Sequence, residues 1–160
     1  MQQFHPKIST LSISIALLCG TAQVIAQTSI ETIMVTADRQ QTELRDIAAS
    51  IYSVDSDYLD TVKHVHVGEV LNSIPGVVFN RGNGQESLLG IRAPVLTGAG
   101  SCGSVQVSQD GIPLRAGGFC NVNQIFEANT EQASSIEVVR GPGSVLYGVN
   151  ALHGAINVIS

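Results

Sequence analysis

The closing stretch "IEVVRGPGSVLYGVNALHGAINVIS", residues 136–160, constrains the fold of this chain more than any other feature. β-Branched residues crowd both of its ends, and such side chains suit a pleated, half-buried surface. Between the ends lie a Gly-rich turn at Gly141-Pro142-Gly143 and room for one short helical turn. The pattern is strand, turn, helical turn, strand, and it predicts a domain of short strands and tight turns.

The same grammar recurs upstream. "SIYSV" predicts a strand, and Ser56 or Asp57 is expected to cap the helical turn after it. Val67, Val70, Leu71 and Ile74 fall at i, i+3, i+4 and i+7, one apolar face of a helix that Pro75-Gly76 ends. "VVFNR" and "SLLGIRAP" predict two more strands, with a Gly-Asn-Gly turn at 82–84 after the first. In "SVQVSQDGIPL", Asp110-Gly111 supplies the positive φ that a two-residue hairpin loop demands. "NVNQIFEANTEQASSIEVVR" gives a short helical turn and a connection into a strand from Ile136 to Arg140. The sum is an α+β fold, a small domain with a mixed sheet of about four short strands and about two or three short helices. No internal repeat is present.

The first 26 residues stand apart. Lys7 precedes an apolar run from Ile13 to Leu18, and a Val24-x-Ala26 site precedes Gln27, the order of a secretory signal peptide. The run is far short of the roughly 20 residues that a membrane-spanning helix needs. A lipid anchor at Cys19 fits less well, because bulky Leu18 stands where such sites carry a small residue. From Gln27 on, seven Lys and Arg face thirteen Asp and Glu. That acidic balance argues against a nucleic-acid partner, which needs a basic surface.

Cys102 and Cys120 are the cysteines that follow the leader, and export to an oxidising compartment makes their pairing in a disulfide the expectation. Metal binding is the rival reading, with no His nearby to complete a zinc site. "GAGSCG" contains a literal GxGxxG at Gly98, Gly100 and Gly103. A dinucleotide loop needs a helix after it and an acidic residue about 20 positions on; here a strand follows, so a flexible loop is the better account. His64 and His66 are expected to form a surface pair, because no third metal ligand lies within sequence reach. His153 is expected to be structural. "GPGSVLYG" is not a nucleophile elbow, and the carboxylates are scattered singly. No catalytic residue, no metal site and no cofactor is expected, and the chain does not read as an enzyme.

Taken in order, the pieces resemble the N-terminal plug domain of TonB-dependent outer-membrane receptors. "ETIMVTA" looks like the TonB box. "VGEVLNSIPGVVF" is similar to the helix and "PGV" of these plugs, "GIRAP" to their "IRG" strand, "QDGIPL" to their "DGVP" hairpin, and the last 25 residues to their closing signature. Ala93 stands where the family has Gly, and Leu152-His153 replaces a small or Gly-rich pair.

The resemblance implies three regions: residues 1–26 a signal peptide, 27–45 the TonB box with a flexible tether, and 46–160 the plug domain. It implies that Glu31, Thr32, Ile33, Met34, Val35, Thr36 and Ala37 contact TonB, the periplasmic energy-coupling protein, by adding a strand to its sheet edge. Arg92 and Arg140 match plug arginines that face acidic residues on a barrel wall. Arg81, Gly82, Asn83, Gly84, Gln85 and Glu86, with the loop between Cys102 and Cys120, match loops that meet the cargo, a ferric siderophore or similar metal chelate. Family members continue into an outer-membrane barrel of roughly 22 strands, so the chain is expected to be truncated before the barrel and, alone, to be periplasmic; the alternative is a stand-alone periplasmic plug-like protein that binds TonB or a ligand without a pore.

Overall fold

The computed structural model describes residues 34–36, 42–84, 87–94, 104–115 and 123–160. Among them are nine strands: β1 (Met34–Val35), β2 (Thr42–Glu43), β3 (Ile51–Asp55), β4 (Val77–Arg81), β5 (Ser87–Ile91), β6 (Val105–Gln109), β7 (Ile112–Pro113), β8 (Ser135–Arg140) and β9 (Gly154–Ile159). Three short α-helices, α1 (Ser56–Val62), α2 (Gly68–Leu71) and α3 (Ser144–Tyr147), and 3-10 turns at Leu44–Asp46 and Gln124–Glu127 connect them. The expected α+β class holds. Its main sheet is mixed and five-stranded, in the order β3-β8-β9-β6-β7, with β6 and β9 parallel and the other neighbours antiparallel. Two smaller antiparallel pairs, β1-β2 and β4-β5, flank it.

Successive side chains of a strand point to opposite faces, and the two faces of the main sheet differ. Val54, Ile136, Ile156, Val158, Val105 and Val107 line one face and pack with Leu59, Val70, Leu71, Ile74, Phe79 and Ile91 from α1, α2, the turn after α2, and the β4-β5 pair. Fully burying an aliphatic side chain stabilises by ~1.5–3 kcal/mol, so this layer is the main source of cohesion. The opposite face begins with a small cluster, Val35, Ile51, Val139, Ala151 and Ala155. Beside it runs a polar row in register, Ser53 opposite Glu137, Glu137 opposite Asn157, and Asn157 opposite Ser108. Glu137, Asn157 and Ser108 are nonetheless buried.

Several local expectations hold and others are corrected. All four apolar positions of the predicted helix face, Val67, Val70, Leu71 and Ile74, are buried. The helix itself is one turn, and tighter turns carry the chain on through Ile74; the Asn72 Oδ1 accepts from the Phe79 N–H at 2.9 Å and its Nδ2 donates to the Phe79 carbonyl at 3.0 Å. The cap of α1 is Asp55, whose Oδ1 accepts from the Tyr58 N–H at 2.8 Å; Ser56 and Asp57 lie inside the first turn. Asp110 and Gly111 adopt φ of 50° and 77°, as the hairpin requires.

The histidine pair is not on the surface. His64 is buried with Nε2 3.1 Å from Thr130 Oγ1. His66 is buried edge-on to Phe79, and its Nδ1 accepts from the Gly68 N–H at 3.0 Å. Burial chiefly, and the Arg81 charge next, hold the His66 pKa below its ordinary value. A neutral ring accepting at Nδ1 is the consistent state. Among the described residues no helix is long and apolar enough to cross a membrane, and no group of His, Cys, Asp and Glu is arranged to hold a metal ion.

Candidate functional site

Of the segment spanning residues 31–37, the described part is residues 34–36. Met34 and Val35 form β1, in register with Glu43 and Thr42 of β2. Thr42–Glu43 and the turn Leu44–Asp46 therefore take regular structure within the stretch expected to serve as tether. Val35 is 1% exposed and packs on Ile51, Val139, Ala151 and Ala155, with Leu44 and Ile47 against the same cluster. Thr36 is held at two points: its N–H donates to Glu137 Oε1 at 2.7 Å and its Oγ1 donates to Glu137 Oε2 at 3.0 Å. The segment expected to add a strand to a partner's sheet is thus docked on its own chain at these residues. Sequence reasoning missed Glu137; the signal available was a carboxylate interrupting the apolar run "IEVV".

Arg92 and Arg140, far apart in sequence, converge. Arg92 follows β5 with φ of 49°, its N–H bonded to the Gly76 carbonyl at 2.8 Å. From there Nη1 donates to the Arg140 carbonyl at 3.1 Å and Nη2 to Ser50 Oγ at 3.0 Å. Arg140, the last residue of β8, donates from Nη1 to the Pro75 carbonyl at 2.9 Å and lies 5.7 Å from the centre of the Tyr52 ring. Its Nε is buried with no hydrogen-bond partner. Among the described residues no carboxylate forms an ion pair with either arginine. Both side chains are held on neutral acceptors through exposed hydrogen-bonding ends, which can also meet an anionic group.

The expected ligand-facing turn is exposed at Arg81, Gly82, Asn83 and Gly84, and Arg81 Nε closes it by donating to the Gly84 carbonyl at 3.0 Å. Gln85, Glu86, Cys102, Cys120 and the Gly98, Gly100, Gly103 run lie outside the described residues. At the β6-β7 hairpin, Asp110 accepts from the Ser160 N–H at 2.9 Å and from its Oγ at 2.7 Å, and these bonds lower the Asp110 pKa. A cavity of about 220 Å³ beside His64, Val65, Phe126 and Thr130 contains none of the expected site residues.

The chain is 29% identical to the vitamin B12 transporter BtuB of Photobacterium profundum, over 96% of this chain and 25% of that protein. The pyoverdine outer membrane receptor FpvA of Pseudomonas aeruginosa PAO1 superposes with a TM-score of 0.59 at 17% identity, covering 79% of this chain and 17% of that one. The alcaligin outer membrane receptor FauA of Bordetella pertussis does so with a TM-score of 0.57 at 16% identity, covering 79% and 20%. At such identities the structures show a shared fold. The chain spans about a quarter of the length of the curated relative it matches. Residues 43–155 match the TonB-dependent Receptor Plug Domain, a receptor and transporter family rather than an enzyme family, and the chain belongs to that family.

Proposed function

We propose that this chain is the plug portion of an outer-membrane receptor that takes up a ferric siderophore or a similar metal chelate, driven through contact of residues 31–37 with TonB. The observation that carries the reading is the meeting of Arg92 and Arg140 at the end of β8 without a carboxylate among the described residues, which leaves both charges available to an anionic wall opposite. The rest of the receptor supplies that wall as a strand barrel closing around the plug. In support of the cargo stand the ligands for which the relatives are named, vitamin B12 for BtuB and pyoverdine for FpvA. Residues 1–26 act as the signal peptide, and Cys102 and Cys120 form a disulfide that staples a ligand-facing loop.

Mechanically, the plug presents three surfaces: exposed turns such as residues 81–84 toward the cargo, Arg92 and Arg140 toward the wall, and the segment at residues 34–36 toward the energy source. No covalent chemistry is involved. The test is the reading frame beyond the Ser160 codon: about 10-residue segments alternating apolar and polar residues are expected. Unrelated sequence after a genuine stop there would overturn the plug-portion reading.

A further inference from the structure

The contact between Thr36 and Glu137 belongs to a segment whose proposed task is to pair with another protein, and that makes its present attachment consequential. Strand addition requires free backbone groups on the added segment. Here β2 takes one edge of Met34–Val35, and the next free donor, the Thr36 N–H, is spent on Glu137 Oε1 at 2.7 Å. The Thr36 hydroxyl is spent on the other carboxylate oxygen at 3.0 Å. Val35, 1% exposed, adds an apolar anchor. Glu137 is itself buried at 3% and held in the centre of β8, between Ser53 of β3 and Asn157 of β9, so the acceptor is fixed in place.

We infer that Glu137 is a clamp that holds the N-terminal segment docked through Thr36, and that it sets how readily the segment is offered to a strand-adding partner. A partner gains the segment only when both bonds to the carboxylate open and Val35 leaves its cluster. Glu137 is therefore a positioning residue: it never meets the partner, and acts by setting the fraction of chains whose segment is free. This inference rests on reading residues 31–37 as the TonB-contacting segment. The clamp itself rests on geometry alone.

The two can be tested apart on the full 160-residue chain. Amide hydrogen exchange followed by NMR reports the clamp directly. Replacing the carboxylate by a neutral amide in Glu137→Gln weakens a charge-assisted bond, and exchange at Thr36 is expected to accelerate by about 10-fold. The Val138 and Ile156 amides, in the same sheet, are expected to keep their protection. Thr36→Val, which removes only the hydroxyl donor, should accelerate exchange at position 36 by about 5-fold. If Glu137→Gln does not fold, this second variant decides alone. Exchange at position 36 unchanged in the folded variants overturns the clamp.

Calorimetric titration with the periplasmic domain of TonB then tests the consequence. Apparent affinity is expected to tighten in Glu137→Gln by the factor seen in exchange. Accelerated exchange with unaltered affinity overturns the gating role. Accelerated exchange with no binding by any form confirms the clamp and removes the partner reading beneath it.

Discussion

Gly154→Ala is the most informative single substitution in the fold, because the structure states what the added methyl would meet. Gly154 opens β9, buried, opposite Arg140 of β8 and beside Val105 of β6. A Cβ there would lie 2.5 Å from the Val139 carbonyl oxygen and 2.9 Å from Ile91 Cδ1. The isoleucine methyl can rotate away. The carbonyl cannot, since β8 is paired on both sides, Val139 with Ile51 and with Ala155. Reaching even the tight limit of 3.0 Å requires the two strands to part locally. Overpacking of this kind costs ~1–3 kcal/mol, offset by ~0.4–1 kcal/mol because Ala restricts the unfolded chain. The net of about 1–2 kcal/mol corresponds to a fall in Tm of roughly 4–8 °C for a domain of this size. Thermal unfolding followed by circular dichroism measures it. Gly143→Ala is the control: its Cβ meets Tyr147 Cδ2 at 3.3 Å, a side chain that can yield, and its effect should stay within about 0.5 kcal/mol. A Gly154→Ala chain as stable as the parent would refute the close-approach argument.

Arg140→Met removes the bond to the Pro75 carbonyl and the contact with Tyr52, and should lower stability by ~1–2 kcal/mol in urea titration; an unchanged midpoint would mean that the side chain is not held as described. His66 has a depressed folded pKa, so its contribution is fully present above the ordinary value of 6.5 and is lost as pH falls from there through the folded pKa. The urea midpoint should fall on acidification below that value, and in His66→Asn, whose side-chain oxygen can replace the ring acceptor, that part of the pH dependence should vanish. Mass spectrometry of the exported chain should show a gain of two hydrogens on reduction if Cys102 and Cys120 are bridged; equal masses would leave both as thiols.

The parts of the fold legible in sequence are those whose cause is local. Periodicity alone found the buried face of Val67, Val70, Leu71 and Ile74, and Asp110-Gly111 announced its hairpin through the backbone conformation those residues tolerate. What escaped depends on partners remote along the chain. The burial of His64 needs Thr130, 66 positions away, and Thr36 finds its carboxylate 101 positions away. The Asn72 side chain stands in for a strand neighbour of Phe79, a choice that no propensity scale encodes. Arg92 and Arg140 were singled out by resemblance to a family motif. That they converge, through Gly76, Pro75 and Ser50, became visible only in three dimensions.

The strand that joins these features is β8, and its position decides which contacts yield first. It is registered with β3 over five residue pairs and with β9 over six. Ile136 and Val138, both fully buried, lock it into the main core. Glu137 on the opposite face holds Thr36, and Arg140 at its end meets Arg92. A pull applied to the N-terminal segment therefore meets its pairing with β2, the two hydrogen bonds to Glu137 of β8 and the burial of one valine before it loads the sheet. Those bonds contribute roughly 1.5–3 kcal/mol each, whereas displacing β8 breaks two ladders and opens the core as one cooperative event. The segment must detach while the sheet stays intact. A carboxylate on a central strand suits a contact meant to open: it is fixed enough to recapture Thr36 and weak enough to release it without unfolding the domain.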